Sequence, residues 1–190
     1  KLYKWLLQKY AKAGDTILDT HFGSLSIGIA CHDLKFDLTA IEFDKDYFIL
    51  ERVTPAGKSD GYLLDRMQSI YHVELGTLYL KKMLRLIKYN GIKRQKNLFD
   101  KNDLLLSFIK FAFQDKKIMS VELCDSSNRD IIGRVKKFDS DSCTVTQITD
   151  FGEQNGYSTC NLADISSIVY NSEDEKVLEI LNNCNKTIHI

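Results

Sequence analysis

A stretch of the first half of this chain recurs in the second half at a constant spacing and without a gap. Phe43-Asp44-Lys45-Asp46 matches Phe138-Asp139-Ser140-Asp141, Thr54 matches Thr149, and Gly57 matches Gly152. Gly61-Tyr62 matches Gly156-Tyr157, and Ile70 matches Ile165. Apolar character agrees elsewhere, as at Leu50 with Val145 and Val53 with Ile148. One ungapped register argues against chance and points to an internal repeat.

Each copy reads as strands followed by a helix. In the second copy the strands are expected at Ile118 to Leu123, Ile131 to Lys137, Cys143 to Ile148, Tyr157 to Leu162 and Ile165 to Tyr170. Cys143 and Val145 fall on one face and Thr144 and Thr146 on the other, the alternation of a half-buried strand. Gly152 to Gly156 is a polar loop whose glycines suit positive φ. Short, strongly bent strands with glycine turns imply a small closed barrel of SH3-like or Sm-like type. Ser172-Glu173-Asp174-Glu175 has the form of a capping box, and Val177, Leu178 and Leu181 give the following helix an apolar stripe. The matching helix of the first copy is expected at Thr77 to Lys88, buried through Leu80, Met83, Leu84 and Ile87. Asn90-Gly91 ends it. A further helix, Asn102 to Gln114, buries Leu104, Leu105, Phe108 and Ala112, and 92–101 is the linker candidate.

The formal net charge is zero, which argues against simple nucleic-acid binding. Charge is nonetheless divided. Thr77 to Lys101 carries eight Lys/Arg and one acid, whereas Ser120 to Ile180 carries twelve acids and five bases. The basic stretch reads as a solvated helix face and linker, or as a phosphate-contacting surface. The five cysteines are odd in number and include no C-x-x-C pair, so neither a disulfide framework nor a zinc site is indicated. Reduced thiols in a cytoplasmic protein fit better. No apolar run is long enough to span a bilayer, so no membrane partner is expected.

The first 48 residues follow a different logic. An amphipathic helix precedes a strand ending in Asp19-Thr20-His21-Phe22-Gly23-Ser24; a small-residue helix, Ser26 to His32, leads to a second strand ending in Glu42. A tight turn after a strand, a nearby helix N-terminus and an acid at the tip of the next strand are features of nucleotide-cofactor binding. The segment from Leu2 to Phe48 resembles the C-terminal end of DNA adenine-N6 methyltransferases. That resemblance implies that Asp19, Thr20, Gly23 and Ser24 shape an S-adenosyl-L-methionine loop. It also implies that Glu42 accepts from the ribose hydroxyls, and that Lys4 and Trp5 lie beside the methionine end. Leu25 departs from a glycine common in the wider superfamily. The family's catalytic motif needs two adjacent prolines to hold a flipped adenine. This chain has one proline, Pro55, so the motif is absent. Cofactor affinity is therefore expected to be weak or lost. The chain opens at Lys1 and not on a methionine, which leaves room for an upstream catalytic segment.

From Phe43 to Asn183 the chain resembles bacterial tandem Sm-like barrels, each with an aspartate-glycine-aromatic hairpin and a trailing helix. Here the loops at Asp44 to Asp46 and Asp139 to Asp141 are acidic and would repel RNA phosphates. The two resemblances overlap, since Leu38 to Glu42 would be a Rossmann strand in one and a barrel strand in the other. A gene fusion, or an artefact of sequence assembly, would produce such a pattern.

The expected fold is therefore α+β: a partial Rossmann-like βαβ fragment followed by small five-stranded Sm-like or SH3-like barrels with helices. Its parts are 1–48 as the cofactor-binding fragment, 38–90 as the first repeat, 91–116 as linker and helix, and 117–190 as the second barrel. Asp19 and Glu42 are the leading functional candidates. His21, His32, His72 and His189 are scattered and specify neither a metal nor a nucleophile pair. Gly57 and Gly61 read as turn glycines, and Tyr62 and Tyr157 as barrel residues. Two functions are expected. One is a fragment or fusion of an S-adenosyl-L-methionine-dependent DNA adenine-N6 methyltransferase, inactive alone, with DNA as its partner when intact. The other is a non-catalytic interaction module, immune or regulatory, that binds a protein partner.

Overall fold

The computed structural model of this 190-residue chain describes residues 16–17, 37–38, 40–70, 77–92, 98–124 and 130–188. Two short strands, β1 (Thr16–Ile17) and β2 (Asp37–Leu38), pair in parallel. The remaining strands are β3 (Ala40–Phe43), β4 (Tyr47–Val53), β5 (Ser59–Arg66), β6 (Met119–Leu123), β7 (Ile131–Phe138), β8 (Ser142–Ile148), β9 (Gln154–Asn161) and β10 (Ile165–Tyr170). They form one eight-stranded sheet in the order β3-β4-β5-β10-β6-β7-β8-β9, and every pairing in it is antiparallel. The helices are α1 (Leu78–Tyr89), α2 (Leu104–Asp115) and α3 (Glu173–Ile188).

This corrects the expected fold class. The architecture is an open sheet shared by both copies, not a Rossmann fragment joined to closed barrels. All five strands expected in the second copy are present, but closure fails for a simple reason. A strand has two hydrogen-bonding edges, and β10 uses one on β6 and the other on β5 of the first copy. No edge is left for β9. At the N-terminal end, the contested segment is divided between the two sheets. Asp37–Leu38 pairs in parallel with β1, whereas Ala40–Phe43 turns into an antiparallel hairpin with β4.

The repeat is reproduced in detail. β4 and β5 sit at the positions matching β8 and β9, and each second strand runs into a single 3-10 turn, Met67–Ser69 or Leu162–Asp164. The register shifts match as well: between Ala40 and Glu42 as between Val135 and Lys137, and between Glu51 and Val53 as between Thr146 and Ile148. The acids of the acidic loops build turns. Asp44 Oδ1 accepts from the amides of Asp46 and Tyr47 at 2.8 and 2.7 Å. Asp139 Oδ1 accepts from those of Asp141 and Ser142 at 2.9 and 2.8 Å. Asp44 also spends its second oxygen on the amide of Leu104, 3.0 Å away, and so helps cap α2.

The correspondence continues into the helices. Asn90, at the end of α1, donates to the carbonyl of Gly57 at 2.9 Å. Its counterpart Asn185 on α3 donates to that of Phe151 at 3.0 Å. α1 buries Leu80 and Met83 as expected, and α2 buries Leu104, Leu105, Phe108 and Ala112, with Ile109 added. On α3 only Leu178 of the expected stripe is buried; Val177 and Leu181 are exposed. Burial goes instead to Glu175, whose carboxylate accepts from Ser120 Oγ at 2.6 Å and from the Ser172 amide at 3.0 Å. Ser172 Oγ donates to the same carboxylate, so the capping box is turned inward and tied to β6.

The largest hydrophobic cluster among the described residues lies under α2. It joins Tyr47, Ile49 and Leu64 of the first copy to Phe108 of α2 and to Val121, Val145 and Ile168 of the second. Among the described residues no helix is long and apolar enough to cross a membrane.

Candidate functional site: a groove at the seam of the two copies

Where β5 meets β10, Tyr62 lies directly opposite Tyr170. α2 crosses the sheet here and adds aromatic rings. Phe111 meets Tyr62 edge-to-face at 6.1 Å between centroids and meets Tyr170 at 5.4 Å. An open groove of about 490 Å³ runs along this seam, with Tyr62 and Phe111 in its wall and Gln114, Asp115, Lys117 and Asn171 around its rim.

The rim carries a defined polar cluster. The Tyr170 hydroxyl donates to Asp115 Oδ2 at 2.5 Å, and Lys117 Nζ lies 3.1 Å from the same oxygen. The tyrosine hydrogen bond, with help from Lys117, holds the Asp115 carboxyl below its ordinary value. Burial, reinforced by the Asp115 charge, pushes the Tyr170 phenol well above its own. At neutral pH the aspartate is ionised and the phenol protonated. The pair therefore holds a proton rather than transferring one, because a useful acid or base needs a pKa near the working pH.

The backbone marks the same place. Among the described residues two non-glycine positions have positive φ, Lys116 and Asn171, each at 57°. Lys116 is the left-handed C-cap of α2, between Asp115 and Lys117. Asn171 follows β10 and lines the groove. Asparagine tolerates this region, but lysine does so at a cost. Such conformations concentrate where a surface must be shaped.

A second cleft, about 280 Å³, lies beside Tyr47, Arg66 and Leu162. Its arginine is occupied. Arg66 Nε donates to the Ile165 carbonyl at 2.9 Å, its guanidinium also reaches the Ala163 carbonyl, and it stacks 5.9 Å from the Tyr47 ring centroid. This is a latch between the copies. Across the opposite sheet face, Asp65, Ser167 and Glu122 stand in one row on β5, β10 and β6. Burial raises the Asp65 pKa, and Ser167 Oγ donates to Glu122 at 3.0 Å. Among the described residues no histidine stands beside this serine. The Cys143 thiol is pushed up to about 12 by burial, which makes it inert as a nucleophile. Among the described residues no three His, Cys, Asp or Glu side chains gather closely enough to hold a metal ion.

Of the expected cofactor residues, Lys4, Trp5, Asp19, Thr20, Gly23 and Ser24 lie outside the described residues. Glu42 is buried at the end of β3, and Lys101 Nζ sits 2.9 Å from its Oε2. The carboxylate expected to hold ribose hydroxyls is thus engaged by a lysine just before α2. Sequence reasoning passed over Phe111, Asp115, Lys117 and Tyr170. No motif joins them: Phe111 lies within α2, Asp115 and Lys117 flank its C-cap, and Tyr170 ends β10. No protein-family model, no curated protein and no solved structure matches this chain.

Proposed function

We propose that this protein is a non-catalytic interaction module whose seam groove receives an extended segment of a protein partner. The observation that carries the reading is the groove itself: aromatic walls, a rim of hydrogen-bonding groups, and two left-handed non-glycine residues beside it. Half-exposed rings offer apolar area with little conformational entropy to lose, and the rim amide, carboxylate and ammonium can pair a partner's main chain. The catalytic alternatives are weaker. Arg66, Glu42 and Glu175 each serve a structural contact, and the Asp115–Tyr170 pair is locked in one protonation state.

The test is a photo-crosslinking residue placed at Gln114 in the source cells. A discrete protein adduct at position 114, absent with the same residue at the distant Lys58, is the expected result. No adduct at 114 or at Asn171 would remove the groove as a docking site.

A second reading has one observation in its favour. Thr16–Ile17 pairs in parallel with Asp37–Leu38, apart from the eight-stranded sheet. Under it, residues 1–48 are a methyltransferase fragment that lacks the catalytic prolines and transfers no methyl group to DNA. Binding of S-adenosyl-L-methionine by Glu42 has to displace Lys101, so affinity should be on the order of millimolar or weaker. Isothermal titration of the chain and of Glu42→Ala decides this. Micromolar binding abolished by Glu42→Ala would establish an intact pocket.

A further inference from the structure

The repeat shows what the last hairpin strand of each copy is built to do. In the first copy that strand is β5, and its outer edge is covered by β10 through Tyr62↔Tyr170, Leu63↔Val169, Leu64↔Ile168 and Asp65↔Ser167. In the second copy it is β9, which pairs with β8 on one edge and has no neighbour on the other among the described residues. The same element, with the same glycine turn and the same register shift, is therefore covered once and, among the described residues, bare once.

An exposed edge strand is ordinarily guarded. Natural sheets blunt such edges with lysines, prolines, shortness or an inward charge. β9 has none of these. Its eight residues, Gln154–Asn161, contain no charged side chain and no proline. They are exposed over most of their length, with Cys160 the buried exception. Lys136 on β7 is drawn onto the face of the Tyr157 ring, 3.4 Å from its centroid. The opposite edge differs. β3 is only four residues long and carries a charged residue, the buried Glu42, which pairs with the exposed Lys101.

We propose that β9 is a homodimer interface: the β9 strands of two copies pair antiparallel across a twofold axis and continue the sheet through both protomers. Charge argues for a second copy as the occupant. Across a twofold axis each β9 meets an identical strand, so a net charge on it would meet its like, and β9 carries none. β9 offers itself glutamine, asparagine, serine, threonine and tyrosine, all able to pair across strands. This surface lies on the far side of the second copy from the seam groove and stands whether or not the groove binds a partner.

Sedimentation velocity over a wide concentration series tests the proposal on the whole chain. Mass should rise from one chain to two with concentration, and Asn155→Lys and Ser158→Lys should each return it to one. Lys58→Glu, on an exposed turn of the first copy, should leave the dimer unchanged. Amide exchange on the unsubstituted protein gives a readout that needs no variant: protection in β9 should increase as the dimer forms. A monomer at every concentration, or a dimer that survives both lysines with β9 exchange unchanged, overturns the proposal.

Discussion

Asp115 and Tyr170 show how much a single hydrogen bond can tie together. The bond joins the last residue of α2 to the last residue of β10, and so pins the helix across the seam. Because the folded state lowers the Asp115 pKa, this contribution is present above the unfolded value of about 3.9 and fades as pH falls through the lower folded value. Tyr170→Phe removes the chief cause of that shift. At pH 7 the variant should lose about 1 kcal/mol, since water competes for the half-exposed carboxylate. Between neutral pH and pH 3 its urea midpoint should fall less than that of the parent. Identical pH dependence in the two proteins would show that the bond does not govern the aspartate. Neither residue draws notice in the sequence, because an aspartate at a helix end and a tyrosine in a strand are ordinary. Their pairing exists only once β10 and α2 are brought together.

At the scale of elements, hairpin and helix of each copy are matched to one another. Gly152 has φ +76°, and a Cβ there would lie 2.6 Å from both Leu181 Cβ and the Asn182 amide. Gly57 repeats this in the first copy, with φ +75° and Leu86 Cβ at 2.4 Å. Gly91 shares the left-handed backbone, at φ +67°, but has no atom within 4 Å of the added carbon. Gly152→Ala should therefore cost about 2–4 kcal/mol, from strain plus overpacking, against about 1 kcal/mol for Gly91→Ala from strain alone. Chemical denaturation of the two variants gives the comparison. Equal losses would mean that the helix yields to the methyl group. That both glycines make turns is legible from the sequence; that their bare faces rest on a helix is not. The exposed Val177 and Leu181 make the same point, since a helical apolar pattern says which residues share a face but not whether anything covers it.

For the whole molecule the deciding contact is β5 on β10. Leu64, on the first copy's side, is fully buried in a core that includes α2 and strands of the second copy. Leu64→Ala should cost about 2–5 kcal/mol and should do so in one transition, because both copies draw on the same cluster. Calorimetry with a second, unshifted transition would mean that the copies unfold separately. Glu42 belongs to this scale too. Its partner Lys101 lies in the segment leading into α2, far along the chain, and their pairing brings that segment to the end of β3.

The sequence alone determined the duplication, its turns, the start of the last helix and the strand positions of the second copy. Each of these is encoded within a few residues: a glycine that can take positive φ, an aspartate that accepts from amides two and three residues on, a serine before a run of acids, an alternation of apolar and polar side chains. Only the tertiary structure decided that the two copies share one open sheet, where the seam groove lies, and which edge stays bare. A strand edge pairs through backbone amides and carbonyls that every residue carries alike. Side chains can forbid such a pairing but seldom name the partner, so β10 could be recognised as a strand while its place beside β5 could not.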